Sequence, residues 1–199
     1  MSQARTLNEK ELKLLLLYIA TRKHAARDRA MMLLTHWAGM RIGEVAATKV
    51  GDVLALDGTI KQEIRLTAAQ TKGSHARTVV LSEKLRKELL SYLQHRYQTK
   101  QLVALTYTDE MTKALFATQK RDDGFTANTA ANHFHSLYRA AGIDGCSSHS
   151  GRRSFITALA AKGVSARVLQ TLAGHRSLAV TQHYIDVNES MLRNAVALI

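Results

Sequence analysis

Residues 53–81, VLALDGTIKQEIRLTAAQTKGSHARTVVL, are where this chain changes its period. On either side, apolar residues recur every three or four positions, as on one face of a helix; within this stretch they alternate. Val53 to Leu56, Glu63 to Ala68 and Arg77 to Leu81 read as three short antiparallel strands. Asp57-Gly58 supplies the first turn, because glycine accepts the positive φ that a tight hairpin demands. Thr71-Lys-Gly-Ser74 forms the tip between the second and third strands. Strands this short do not make a stable domain by themselves, so they must rest on the helices around them.

Upstream, Thr6-Leu-Asn-Glu9 has the spacing of a capping box. It predicts a helix to about Arg22 with Leu12, Leu15, Leu16 and Ile19 on the buried side. A second helix is expected from Ala25 to Ala38, stopped at Gly39, and a third from near Arg41 to Thr48. Downstream, Ser82 caps a helix to about Tyr97. Thr99 to Gly124 is irregular, with a short strand expected at Leu115 to Ala117. Helices follow over Thr126–Ala141, Arg152–Ala161 and Ala166–Leu172, then a short one through Tyr184 and a last one from Glu189. There are no prolines, so glycine, Asx and hydroxyl residues punctuate the fold. The expected class is α+β, mainly α, with a small three-stranded antiparallel sheet, in one domain of 199 residues.

Lys and Arg outnumber Asp and Glu by 28 to 16, which favours an anionic partner, nucleic acid being the commonest. The charge is unevenly spread. Between Gly124 and Ile185 the one acidic residue is Asp144, while Arg139, Arg152, Arg153, Lys162, Arg167 and Arg176 all lie there, as on a phosphate-binding face. The single Cys146 excludes a disulfide framework and reads as a small inert residue. Residues 1–13 are polar, and the longest apolar run, Leu14 to Ala20, is far short of the roughly 20 residues that cross a bilayer. A cytoplasmic, nucleoid-associated protein is expected, with no membrane partner. His133 and His135, two apart on a helix, point to different faces, which argues against a shared metal. Trp37 and the Met31-Met32 pair read as core, and His24, His36, His75, His95 and His183 have no evident partners in the sequence.

Cutting a DNA phosphodiester without metal needs a nucleophile, cations for the non-bridging oxygens and a proton donor for the departing sugar oxygen. Guanidinium suits the second task, since it stays charged and can bind two phosphate oxygens at once. Gly39-Met-Arg-Ile-Gly-Glu44, His149-Ser-Gly-Arg152, Leu172-Ala-Gly-His175 and Thr181-Gln-His-Tyr184 carry such groups in order. They resemble the boxes of the tyrosine recombinase (phage integrase) family, over about Thr6 to Val187. Lys72, in the turn between two strands, falls where that family keeps its catalytic lysine.

The resemblance implies a site-specific recombinase that cleaves and rejoins DNA through a 3′-phosphotyrosyl intermediate, with no cofactor, metal or ATP. In that scheme Arg41 and Arg152 clamp the scissile phosphate and His175 adds a hydrogen bond. Tyr184 attacks, Lys72 protonates the leaving oxygen, His149 acts as base or orienting partner, and Glu44 steadies the region of Arg41. Arg153, Arg176, Arg139, Lys162 and Arg167 are candidate DNA contacts. The implied partners are double-stranded DNA with specific sites, three further copies in a homotetramer, and an accessory DNA-binding protein. Residues 189–199 would pack on a neighbouring protomer or in cis.

Two departures stand out. Gly151 replaces the usual leucine and Arg153 the usual histidine of the second box, so Arg153 is either a further phosphate contact or a packing residue. The chain also has no room for the separate N-terminal core-binding domain that many relatives carry. It reads as a naturally short enzyme, or one gripped by a partner. A type IB topoisomerase-like relaxing activity and a non-catalytic DNA-binding regulator are the competing readings.

Overall fold

The computed structural model describes residues 4–71, 75–118, 124–185, 187 and 189–197. The chain begins with α1 (Glu9–Ala20), whose N-cap is Asn8: its side chain accepts from the Glu11 amide and the Glu11 carboxylate answers its own. The capping box therefore sits two residues later than Thr6–Glu9 suggested. The reason is tertiary: the Leu7 amide donates to Ser154 Oγ at 2.8 Å, which keeps Leu7 out of the helix.

α2 (Ala25–Trp37) is the central helix, with Ala30 to His36 all buried. It packs against α1, α3 (Ile42–Ala47), α5 (Glu83–Tyr97) and α7 (Ser150–Ala161). Between α3 and α5 lie α4 (Val50–Val53) and the strands β1 (Glu63–Leu66) and β2 (Arg77–Val80). The strands pair antiparallel with Glu63 opposite Val80 and Leu66 opposite Arg77.

Among the described residues the sheet has two strands, not three. Residues 50–53 form a helical turn, closed by Asp52 accepting from the Lys49 amide at 2.8 Å. This segment turns away from β1 because its backbone bonds elsewhere: Val50 N donates to Lys113 O, and Leu115 N to Thr48 O. What remains of the expected first hairpin is a single bridge between Leu54 and Ile60 across the Asp57-Gly58 turn. The strand expected at Leu115–Ala117 is likewise reduced to one bridge, Lys49 to Ala114. Leu115 and Phe116 are buried, with Tyr92 stacked at 5.2 Å and its hydroxyl donating to Leu115 O.

The C-terminal half holds α6 (Ala127–Ala140), α7, α8 (Ala166–Ala173), α9 (Leu178–Gln182) and α10 (Glu189–Val196). Two cores result. The large one surrounds α2; the small one, built on Ile156, Leu169 and Ala173, packs Phe155, Leu159, Tyr184 and Ile185. Helix α7 contributes to the small core on one side and rests on α2 on the other. Among the described residues no helix is long and apolar enough to cross a membrane.

The seam between α2 and α7 explains one departure in the second box. A Cβ at Gly151 would lie 2.2 Å from Thr35 Oγ1 and 2.9 Å from the His36 ring, so no side chain fits between the helices. Gly39 is constrained twice, by a φ of +63° and by the Phe155 ring, 2.5 Å from where its Cβ would be. Restoring leucine by Gly151→Leu is expected to destabilise the fold by more than about 2 kcal/mol, as overpacking does, read as a lower urea midpoint at constant m-value.

His36, buried in the same seam with Nε2 3.3 Å from the Tyr138 hydroxyl, is pushed by burial from 6.5 to about 4. The unfolded chain therefore takes up a proton that the folded chain refuses. Stability is expected to fall as pH drops from 6.5 towards 4, by roughly 3 kcal/mol for this group at about 1.4 kcal/mol per pH unit. In His36→Asn the urea midpoint should depend less steeply on pH across that window. An unchanged slope would assign the loss to other groups.

Candidate active site

The site is assembled around one buried carboxylate. Arg41, N-cap of α3, donates from its backbone amide to Glu44 Oε2 at 2.7 Å and from Nη1 to Oε1 at 2.8 Å. From β2, Arg77 reaches the same carboxylate with Nε to Oε1 at 3.0 Å and Nη2 to Oε2 at 2.6 Å. Burial alone would raise the Glu44 carboxyl, but Arg77 and then Arg41 hold it below the usual range. Arg77 Nη1 also donates to Leu172 O, which ties β2 to α8.

Arg152, on the first turn of α7, is the largest fully buried side chain among the described residues. Its guanidinium donates to Gly39 O and to Ala173 O, while Nε is buried with no hydrogen-bond partner among the described residues. Among the described residues no carboxylate pairs with it directly. Burial, then the charges of Arg41 and Arg77, push its pKa down. A guanidinium nevertheless stays protonated, so among the described residues the three arginines of this cluster share one carboxylate.

His175 follows Gly174, the left-handed C-cap of α8. Its Nδ1 is 2.9 Å from Thr181 Oγ1, and Nε2 is buried with no hydrogen-bond partner among the described residues. Burial, then Arg152, Arg41 and Arg77, push this ring down to about 4, so it is neutral at pH 7. Tyr184 stacks on it at 4.9 Å. The Tyr184 backbone is pinned on both sides: its amide donates to Thr181 O at 2.9 Å, and its carbonyl accepts from Thr157 Oγ1 at 2.8 Å.

Adjoining hollows join these groups. Tyr184, His149, Arg153 and His183 line the first; His149 and Arg41 line the second; Arg41, Arg77, His75, His175 and Arg176 line the third. Five of the six expected catalytic residues, Arg41, His149, Arg152, His175 and Tyr184, thus converge. Lys72 lies outside the described residues, but its sequence neighbours Thr71 and His75 line the third hollow, and Thr71 Oγ1 donates to His75 O at 2.7 Å.

Of the expected DNA contacts, Arg153 is buried against the Tyr184 hollow and Arg176 is exposed at the third. Arg139, Lys162 and Arg167 are exposed and line none of the three; Arg167 bonds Gln170 instead. Among the described residues no group of three or more His, Cys, Asp or Glu could hold a metal ion.

Sequence reasoning missed Arg77 and Thr181. A signal for Arg77 existed: alternation places it on the face of Val79 and Leu81, both buried, and a cation on that face calls for a buried carboxylate. Thr181 carried no such signal.

Comparison with known proteins identifies the family. Residues 5–191 match the model of the phage integrase family. Tyrosine recombinase XerA of Pyrococcus furiosus is 29% identical over 96% of this chain and 60% of its own length. XerA of Thermococcus kodakarensis is 31% identical over 98% and 62%, and XerD of Neisseria meningitidis 31% identical over 87% and 55%. The crystal structure of a XerA recombinase superposes with a TM-score of 0.76 at 28% identity, covering all of this chain and 64% of that one. This chain therefore spans about 60% of the length of these relatives. Its residues 5–191, with their converging arginines, histidines and tyrosine, carry the family's pattern throughout, and the chain belongs to the phage integrase family of tyrosine recombinases.

Proposed function

We propose that this chain is a site-specific DNA recombinase that cuts and reseals duplex DNA with Tyr184 as nucleophile. One observation carries the reading: the Tyr184 ring lies against His175 beside a cluster of arginines whose positive charge exceeds its carboxylate partner. A scissile phosphate is the anion such a site lacks. It would take the excess charge of Arg41 and Arg152 and a hydrogen bond from His175, each growing stronger as negative charge builds in the transition state.

The Tyr184 oxygen attacks phosphorus and the bond to the 5′ oxygen breaks. A 3′-phosphotyrosyl ester forms, Lys72 gives a proton to the departing oxygen, and His149 receives the phenol proton. Phenol ionises near pH 10, so attack at neutral pH needs that help. The ester conserves the phosphodiester bond energy, so the free 5′ hydroxyl can reverse the step without a nucleotide. The structure of XerH with its difH substrate, 25% identical, supports duplex DNA as the partner.

Assembly as a DNA-bound tetramer, with help from an accessory DNA-binding protein, belongs to the same proposal. Leu192 and Val196 on α10 are exposed, and this helix would pack on a neighbouring protomer.

The test is to isolate covalent protein–DNA complexes from cells expressing the full chain and to sequence the attached ends. Wild type should yield 3′ ends from a defined site, and Tyr184→Phe none; an adduct in the variant would move the nucleophile elsewhere. DNA binding without any adduct would favour a regulator, and plasmid relaxation without preferred sites a topoisomerase. Glu44→Gln should lower cleavage of the mapped site at least tenfold, because Arg41 and Arg77 lose the charge that holds them together. It should also destabilise the protein by about 3 kcal/mol, as a broken buried ion pair does.

A further inference from the structure

Thr181 is fully buried and has two bonds that reach the chemistry. Its hydroxyl meets His175 Nδ1 at 2.9 Å, and its carbonyl accepts the Tyr184 amide at 2.9 Å. A buried hydroxyl must donate its hydrogen, since an orphaned donor costs about as much as a lost hydrogen bond. Among the described residues, Nδ1 is the one side-chain partner within reach, so Thr181 donates and Nδ1 accepts. A neutral imidazole with Nδ1 as acceptor carries its hydrogen on Nε2. That nitrogen is the buried one with no hydrogen-bond partner, beside the arginine cluster. Without the hydroxyl, the ring would be free to place its hydrogen on Nδ1 and turn a lone pair towards the phosphate.

We propose that Thr181 is a positioning residue that holds His175 as the Nε2–H tautomer and, through its carbonyl, keeps that ring in register with Tyr184. The proposal rests on the recombinase reading for its effect on rate, but not for its effect on the ring. Valine has the shape of threonine without the hydroxyl, and serine keeps the hydroxyl without the methyl. Thr181→Val therefore removes the donor alone, and Thr181→Ser controls for packing.

Nitrogen-15 spectra of the imidazole side chains in the full chain, with His175 assigned by its loss in His175→Gln, read the tautomer without any DNA. Wild type and Thr181→Ser should show protonated Nε2 and bare Nδ1, and Thr181→Val a mixture or the reverse. An unchanged spectrum in the valine variant would overturn the proposal. On a nicked duplex carrying the mapped site, Thr181→Val should form the covalent adduct 10- to 100-fold more slowly, with Thr181→Ser within about threefold of wild type. Equal slowing in both variants, with an unaltered tautomer, would make Thr181 a packing residue. A wild type without adduct on any DNA, but with the expected spectra, would sink the recombinase reading and leave the tautomer assignment standing.

Discussion

The site hangs on the buried Glu44 carboxylate. Removing such a group from water costs several kcal/mol unless its lone pairs are filled, and here Arg41 and Arg77 fill them from two separate elements. The two contacts lock the start of α3 to β2, and Arg77 extends the link to the end of α8. One carboxylate thus fixes how the sheet, the central helices and the C-terminal helices meet. It cannot neutralise everything it gathers. Arg152 arrives with backbone carbonyls as hydrogen-bond partners, so the cluster keeps a positive excess. Such a cluster has its charges desolvated and oriented by the fold alone.

The second constraint is the close approach of α7 to α2. Gly39 and Gly151 remove the side chains that would hold the helices apart. Arg152 can then reach back to the carbonyl of Gly39, the first residue of the first box, and across to Ala173 O on the other side. Helix α7 therefore carries an arginine that touches both cores. Arg41 belongs to elements around the large core, and Tyr184 to the small C-terminal one, where it packs near Ile156 and Leu169. The geometry of the reaction centre is the geometry of this helix contact. His175 is kept neutral first by its burial and then by the nearby charges of Arg152, Arg41 and Arg77.

The neighbouring position, Arg153, shows how one substitution changes a box without emptying it. It is buried against the hollow of Tyr184 and His149 rather than projected outward. That places a cation in the hollow that Tyr184 lines. Arg176, one residue beyond His175, is exposed at the hollow of Arg41 and Arg77.

The sequence by itself determined the long helices, though not the helical turn at Val50–Val53, several caps (Ser82, Thr126 and the stop at Gly39) and the order of Arg41, His149, Arg152, His175 and Tyr184, because caps and motifs are local properties of the chain. It misplaced the first capping box and promised a third strand. In both cases the backbone found a partner distant in sequence, Ser154 for Leu7 and residues 113–115 for the segment around Val50. What the tertiary structure alone decided is which polar groups share Glu44, why residue 151 must be glycine, and which hydroxyl faces His175. Arg77 and Glu44 are 33 residues apart, and Gly151 meets Thr35 from the far end of the chain, relations that no local pattern encodes; Thr181 and His175 are near in sequence, but only the fold around α8 and α9 turns the hydroxyl onto the ring.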